Sequence, residues 1–179
     1  MKRLLAVFLC ASLCACASMK KHFAPADPLS AEDHFRLGAA FEAHDLPNDA
    51  LKHYQRAAKL NPSNAEVWVA LGNLKFRRGD YAGAEDDYQR ALDRSPYHAG
   101  AQNNLALSYL AQNKNLKEAE LLAKSALRQN SALRPYVLDT LSNIYAREGR
   151  LPEARTAAAQ AAEAAAAHGI TLPEKLGAL

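Results

Sequence analysis

Cysteine is scarce in this 179-residue chain, and its three cysteines all lie within the first 16 residues. The remainder of the chain therefore has neither a disulfide nor a thiolate metal site. Aromatic residues make up only 7% of the sequence, whereas 49% of it is hydrophobic and alanine is abundant. This composition favours one domain of closely packed helices over a sheet with a bulky core.

The motifs of catalysis and cofactor binding are also absent from the sequence. It contains no GxSxG, no Walker loop, no dinucleotide-binding fingerprint and no histidine pair at the helical spacing of a zinc site. We therefore predict a non-enzymatic protein with no cofactor, no metal and no small-molecule substrate. The scattered histidines are expected to be mostly exposed. The acids Asp86, Asp87, Glu118 and Glu120 are expected to lie on solvated helix faces.

A large excess of charge of either sign is missing too. The chain has 22 basic and 19 acidic residues. Two of the bases, Lys2 and Arg3, lie in the N-terminal segment, and without residues 1–15 the balance is 20 basic to 19 acidic. This near-neutral charge gives no electrostatic basis for binding nucleic acid, which we do not expect as a partner.

One apolar run stands out near the N-terminus, Leu4 to Ala15, directly after Lys2 and Arg3. Its 12 residues are too few to span a bilayer as a stable helix. A short basic region followed by such a run is instead typical of a signal peptide, which we predict for residues 1–15.

The end of this run, Leu13-Cys14-Ala15-Cys16, resembles the lipobox of bacterial lipoproteins. The resemblance implies that Cys16 is lipid-modified and becomes the first residue of the mature protein. An ordinary secretory signal with incidental cysteines is the alternative. Ala17 rather than Asp follows Cys16, and by resemblance to Gram-negative lipoproteins this implies a lipid-anchored protein on the periplasmic face of the outer membrane.

The segments on either side of the predicted domain, 30–169, are a tether and a tail. Pro25 and Pro28 disfavour a helix, so residues 16–29 are predicted to be a flexible tether. The C-terminal tail, 170–179, has Ile170, Leu172 and Leu176 among its apolar residues. We expect this tail to cap the last helix, or this end of the domain to be a partner surface instead.

A period of 34 residues runs through the middle of the chain. Aligning Leu71-Gly72 with Leu37-Gly38 places Ala84, Tyr88, Ala91 and Pro96 on Ala50, Tyr54, Ala57 and Pro62. Two further copies follow, centred on Leu105 and Leu141. Self-similarity at this period predicts four helix–turn–helix repeats. The predicted repeats span residues 31–64, 65–98, 99–134 and 135–168.

Glycine and capping residues mark the predicted helix ends. Ser63 followed by Glu66 fits a capping box at the start of a helix. Gly79 suits a helix end because glycine takes left-handed backbone without strain, and Asp80 suits the start of the next helix. The third repeat carries an extra residue in its turn, at 113–115.

Small residues recur at one position on the first helix of each repeat and at one position on the second. They predict that the two helices of a repeat approach closely. The first set is Gly38, Gly72, Ala106 and Ser142, and the second is Ala50, Ala84, Ala119 and Ala154.

The residues Trp68, Leu71, Gly72, Ala84, Tyr88, Ala91 and Pro96 resemble the pattern of the tetratricopeptide repeat. The resemblance covers residues 31–166 and implies an all-α fold, a right-handed superhelical solenoid of about four repeats. Lys75 departs from the pattern, because an aromatic residue usually stands at its position. Phe41, Tyr109 and Tyr145 hold this position in the other repeats.

Proteins of this family bind other proteins, usually peptides or helices, in a concave groove lined by the first helix of each repeat. The resemblance implies that the groove is lined by Phe35, Arg36, Val69, Asn73, Phe76, Arg77, Asn103, Asn104, Leu107, Tyr136, Asp139, Asn143 and Arg147. Asn73 and Asn104 match the asparagines with which one subfamily holds a C-terminal carboxylate. The cations of that subfamily are replaced here, so we expect backbone contacts to an extended peptide instead.

The function implied is that of a membrane-anchored scaffold for a protein or peptide partner. The chain resembles the small tetratricopeptide lipoproteins of type IV and tight-adherence pilus systems, which help a pilus or secretin ring assemble. Alternatives are a scaffold for exopolysaccharide export or outer-membrane protein assembly, and an adaptor that regulates an envelope enzyme.

Overall fold

The computed structural model describes residues 27–172. The predicted signal peptide, Cys16, most of the predicted tether and Leu176 lie outside the described residues. Residues 31–172 form eight α-helices and one short 3-10 helix, and the described range contains no strand. The helices are α1 (Ala31–Ala43), α2 (Pro47–Leu60), α3 (Ala65–Arg77), α4 (Tyr81–Arg94), α5 (Ala99–Ala111), α6 (Leu116–Gln129), α7 (Arg134–Arg147) and α8 (Leu151–His168), and the 3-10 helix is Ser131–Leu133.

The helices pack as four antiparallel pairs, α1 with α2, α3 with α4, α5 with α6 and α7 with α8. Each pair packs against the next, and α5 contacts both α3 and α7. The all-α solenoid of four repeats predicted from the sequence is confirmed. Within the described residues no helix has both the length and the apolar character needed to cross a lipid bilayer.

The turn between the two helices has the same backbone conformation in all four repeats. The second residue after the first helix takes left-handed backbone, at Asp45, Gly79, Asn113 and Gly149. A backbone N–H just beyond it bonds back to the carbonyl at the position of Lys75, as in the bond of 3.0 Å from Asp80 to Lys75. This arrangement satisfies carbonyls that the helix leaves open, and the role predicted for Gly79 is confirmed.

The helix caps are partly as predicted. Asp80 caps α4, since its side chain accepts a hydrogen bond from the backbone N–H of Gly83. The capping box predicted at Ser63 is wrong by one residue. Asn64 is the N-cap of α3 and accepts from the backbone N–H of Glu66, while Ser63 donates its own hydroxyl to Asn61. Asparagine caps a helix as well as serine does, so Asn64, which directly precedes the helix, provides the cap.

The longer third repeat has two separate causes. Asn115 is an extra residue in the turn between α5 and α6, and it takes left-handed backbone with φ of 52°. The second extra residue lies in the connection between α6 and α7, where Ser131–Leu133 form a turn of 3-10 helix. Both insertions lie at helix ends, so the packing positions of the helices keep their alignment with the other repeats.

A glycine and a tyrosine fit against each other in the first two repeats. A Cβ atom on Gly38 would lie 2.5 Å from the ring of Tyr54, and one on Gly72 would lie 2.5 Å from the ring of Tyr88. The third repeat replaces this pair by Ala106 and Ala123. The small residue on the first helix is therefore matched in volume to the side chain that the second helix presents.

The buried apolar side chains form two clusters. The first joins α2 and α3 and includes Tyr54, Val67 and Leu74. The second extends from α3 to α8, and Trp68 packs against both clusters. Leu172 packs against the second cluster. Leu172 therefore contacts the body, and the capping role of the tail stays a prediction.

The match between Gly72 and Tyr88 predicts that Gly72→Ala has opposite effects on stability with and without the ring of Tyr88. Gly72→Ala is expected to lower the free energy of unfolding, because overpacking costs about 1–3 kcal/mol and alanine returns only about 1 kcal/mol of helix propensity. In a Tyr88→Ala background the same substitution should raise the free energy of unfolding, by about 1 kcal/mol, because the ring is gone. Urea unfolding of the four proteins measures both effects. The same sign in both backgrounds would show that the ring is not the constraint.

Candidate partner-binding groove

The first helices of the second, third and fourth repeats enclose a cavity of about 570 Å³. Hydrophobic side chains and carboxamides alternate around it, and one carboxylate completes the lining. The lining residues are Val69, Asn73, Phe76, Gly100, Asn103, Asn104, Leu107, Leu133, Tyr136, Asp139, Thr140 and Asn143. An enclosed space with apolar walls and a few converging polar groups is the usual form of a ligand site.

Nine of the thirteen predicted groove residues line this cavity. Arg77 lies beside it and lines an adjoining space of about 170 Å³, which shares Asn73, Phe76, Asn104 and Leu107. The other three do not reach either space. Phe35 packs its ring 5.6 Å from that of Tyr54, Arg36 pairs with Glu32 on the surface, and Arg147 donates to Asn113.

Three lining residues were not among the predicted ones: Gly100, Leu133 and Thr140. Leu133 reaches the cavity from the 3-10 helix between α6 and α7. The signal for it was the unusual length of this connection, which a family pattern with fixed spacing does not register.

Asn73 holds the floor of the groove together. Its Oδ1 accepts a hydrogen bond of 2.9 Å from the hydroxyl of Tyr88 and another of 2.8 Å from Nδ2 of Asn104. Burial raises the pKa of Tyr88, which keeps its hydroxyl a donor. The carbonyl of Asn73 is thus occupied within the protein, and it joins the second repeat to the third.

The remaining carboxamides of the cavity differ in how they are bonded. Nδ2 of Asn143 donates to the backbone carbonyl of Asp139 at 2.9 Å and to its carboxylate at 3.2 Å. Asn103 is only 6% exposed, and within residues 27–172 no hydrogen-bond donor reaches its buried Oδ1. A buried acceptor with no donor is uncommon and points to a ligand group that supplies one.

Arg77 is held at the edge of the groove by a chain of polar contacts from the first repeat. Its guanidinium pairs with Glu42, and Glu42 in turn accepts a hydrogen bond of 2.8 Å from the hydroxyl of Tyr54. Burial, together with this bond to Glu42, raises the pKa of Tyr54. The cation is therefore already neutralised by a partner within the protein.

On the other face of the solenoid, Lys75 and Asp87 explain the departure from the repeat pattern. Nζ of Lys75 lies 2.6 Å from Oδ2 of Asp87, and Arg90 lies 3.2 Å from the other carboxylate oxygen. Asp87 is almost fully buried, so the prediction of a solvated face is wrong for it. Burial raises the pKa of Asp87, and the two cations only partly oppose this. The positions of this ion pair are held by Tyr145 and Ala157 in the fourth repeat.

Glu120 is a second acid that is buried rather than solvated. It lies 2.6 Å from Nζ of Lys124 and 2.9 Å from the guanidinium of Arg150. Burial alone would raise its pKa, but these two bonds outweigh burial and hold the pKa below its usual range. Asp86 and Glu118 are exposed, as expected.

Among the histidines, the expectation of exposure is wrong for His34. It is buried, and its Nδ1 lies 2.9 Å from Nδ1 of His53, so one ring donates and the other accepts. Phe41 stacks on His53 at 5.2 Å. Among the described residues, no group of three or more metal-ligating side chains converges on one point.

The stacked helix pairs and the cavity along their first helices define a solenoid of helix–turn–helix repeats. A sequence model of the tetratricopeptide repeat matches residues 35–99 and again 69–135, together more than half of the chain. The chain belongs to the tetratricopeptide repeat family.

Curated relatives share only the length of a few repeats with this chain. Human protein O-mannosyl-transferase TMTC1 is 32% identical over 83 residues, which are 46% of this chain and 9% of that protein. Human tetratricopeptide repeat protein 16 is 33% identical over 110 residues, 58% of this chain and 12% of that protein. The chain therefore spans about a tenth of the length of these relatives. The transferase activity in the name of TMTC1 is a property of that protein.

Two solved structures share the fold. The crystal structure of MamA has a TM-score of 0.69 and 23% identity, covering 83% of this chain and 86% of that one. The structure of Pseudomonas aeruginosa pilF has a TM-score of 0.67 and 24% identity, covering 77% of this chain and 62% of that one. At this level of identity the likeness extends to the fold alone.

The fourth repeat shows which uncharged pair can replace the ion pair of the second repeat, since it has Tyr145 and Ala157 at the positions of Lys75 and Asp87. Lys75→Tyr alone should lower the free energy of unfolding by about 3 kcal/mol, because buried Asp87 then keeps only Arg90. Lys75→Tyr with Asp87→Ala recreates the pair Tyr145 and Ala157, and should return the stability to within about 1 kcal/mol of the natural protein or above it. Urea unfolding measures this recovery. A double variant as unstable as the single one would contradict the assignment.

Proposed function

We propose that this protein is a non-catalytic scaffold whose concave groove holds an extended segment of a partner protein. The observation that carries the proposal is the cavity of about 570 Å³, which gathers residues of three successive repeats into one site. Phe76, Leu107 and Tyr136 offer apolar contacts there, and the carboxamides beside them suit a peptide backbone.

We further propose that the scaffold is an exported lipoprotein, anchored through Cys16 at the periplasmic face of the outer membrane. The support is the lipobox-like Leu13-Cys14-Ala15-Cys16 after a basic and apolar segment. Within that setting, assistance to the assembly of a pilus or secretin is the function we favour. The likeness to P. aeruginosa pilF is compatible with it. Genes for secretin and pilins beside the gene of this protein would support this setting, and genes for polysaccharide synthesis would favour the export alternative.

Photo-crosslinking from two leucines tests the groove. A benzophenone amino acid at Leu107, inside the cavity, should crosslink a defined partner in intact cells. The same group at Leu121 should not, although this side chain is 69% exposed. Tyr136→Ala should remove the Leu107 product by weakening binding roughly tenfold, the effect of losing one aromatic anchor. Equal products from both positions, or a product unaffected by Tyr136→Ala, would count against the groove.

The variant Cys16→Ser tests the anchor in a Gram-negative host. Without the thiol there is no acceptor for the lipid, so labelling with radioactive palmitate should vanish and the protein should leave the membrane fraction. Cys14→Ser is the matched control and should change neither result. Labelling and fractionation that survive Cys16→Ser would show that the protein is not anchored at this residue.

A further inference from the structure

We propose that a second pocket, between the first and second repeats, binds an acidic side chain of a partner segment together with an apolar side chain next to it. The site goes beyond the proposed function, because none of the described residues that line it lines the cavity of the groove. Four features support it: an apolar wall, a surplus of positive charge, an arginine that is already oriented, and the contrast with the equivalent pocket further along the chain.

The pocket has a volume of about 360 Å³ and lies among α2, α3 and α4. Ala58 and Leu71 are buried in its wall, and Trp68 is half-buried beside them. Nε1 of Trp68 donates to the backbone carbonyl of Pro62 at 2.9 Å, which fixes the position of the ring. The wall therefore offers an apolar side chain of a ligand a rigid surface.

The charge of the pocket is positive. Three cations line it, Lys59, Lys75 and Arg90, against the single carboxylate of Asp87. That carboxylate is buried, and it lies 2.6 Å from Nζ of Lys75 and 3.2 Å from the guanidinium of Arg90. Lys59 is exposed and pairs with no carboxylate of residues 27–172. An anionic group that enters the pocket therefore meets more positive than negative charge.

Arg90 is oriented before a ligand arrives. One of its nitrogens donates to Asp87, and its guanidinium lies 5.0 Å from the centre of the Trp68 ring. A guanidinium has five N–H donors in a planar fork, and the bond to Asp87 uses one of them. The neighbouring Arg94 instead donates to the backbone carbonyls of Pro62 and Arg90. Arg90 thus keeps donors for a carboxylate, which a guanidinium binds through two parallel bonds.

The fold does not require the charge of this pocket. The third and fourth repeats enclose an equivalent pocket of about 460 Å³, since repeats that stack in the same way leave the same space. Lys124 and Glu153 give the lining of that pocket one charge of each sign. Stacking thus accounts for the space, and the second repeat adds the positive charge. The residues that replace Trp68, Lys75, Asp87 and Arg90 there are Leu138, Tyr145, Ala157 and Gln160.

Selection from a peptide library tests the proposal on the full-length chain. The library consists of random heptapeptides without tryptophan, acetylated and amidated so that no terminal charge is present. Peptides that the natural protein retains and Arg90→Gln loses should be enriched about tenfold in aspartate or glutamate beside an apolar residue. Lys117→Gln, which removes an exposed lysine on α6, is the control and should retain them.

A retained peptide then gives affinities through the emission of Trp68, which is the only tryptophan of the chain. Binding should shift this emission to shorter wavelength, because an apolar side chain shields the ring from water. Replacing the acidic residue of the peptide by its amide should weaken binding about tenfold to the natural protein and hardly at all to Arg90→Gln.

A second variant keeps the test sharp if Arg90→Gln lowers stability, since that variant leaves Asp87 with Lys75 alone. Lys59→Gln breaks no ion pair within the described residues, and circular dichroism checks its fold. It should weaken binding of the acidic peptide about threefold, the effect of one exposed cation. Unchanged affinity of the acidic peptide for both variants would overturn the pocket as its site.

The outcomes separate this pocket from the groove and from a membrane surface. Peptides that Tyr136→Ala loses and Arg90→Gln retains belong to the groove. A selection that yields only such peptides would overturn the second pocket and leave the proposed function intact. Binding of phosphatidylglycerol vesicles that Arg90→Gln abolishes, with no acidic peptide retained, would assign the pocket to lipid headgroups and overturn the protein partner.

Discussion

The close approach of the two helices in each repeat is the constraint on which the rest of the structure depends. Where the second helix presents Tyr54 or Tyr88, the first helix must carry glycine, since a Cβ atom would lie 2.5 Å from the ring. Where it presents Ala123, the facing residue is Ala106. A large side chain on the second helix thus faces a smaller residue on the first, which keeps the helix spacing similar. The pairs can then stack in register along the solenoid.

This packing also explains how the second repeat tolerates a buried ion pair. The position of Lys75 is aromatic in the other repeats, where the second helix carries His53, Leu122 and Ala157 at the position of Asp87. Lysine at this position needs a buried anion, and Asp87 supplies it at 2.6 Å. Neither residue suits the site alone, because Lys75 without Asp87 would lose its anion and buried Asp87 without Lys75 would keep only Arg90. The departure seen in the sequence at Lys75 is one half of a paired exchange.

The repeats, their period and most of the groove lining could be predicted because each depends on spacing along the chain. The glycine turn at Gly79 and the lining residues of α3, α5 and α7 follow from that spacing. The burial of Asp87, Glu120 and His34 could not be predicted, since it depends on contacts with other segments of the folded chain. Leu133 was missed because it lies in the extended connection between α6 and α7, where the repeat pattern assigns no groove position.

The chemistry of the groove likewise depends on which hydrogen bonds its residues form, and not only on their positions in the repeat. Asn73 and Asn104 stand where a carboxylate-binding relative has its asparagines, yet here they bond to each other and to Tyr88. Their identity alone would predict recognition of a carboxylate, whereas an amide hydrogen of Asn104 and the carbonyl oxygen of Asn73 are already used within the protein. Among the described residues that line the cavity, Oδ1 of Asn103 is the buried atom that no donor reaches. A ligand that donates a hydrogen bond would satisfy this atom, and a carboxylate would not.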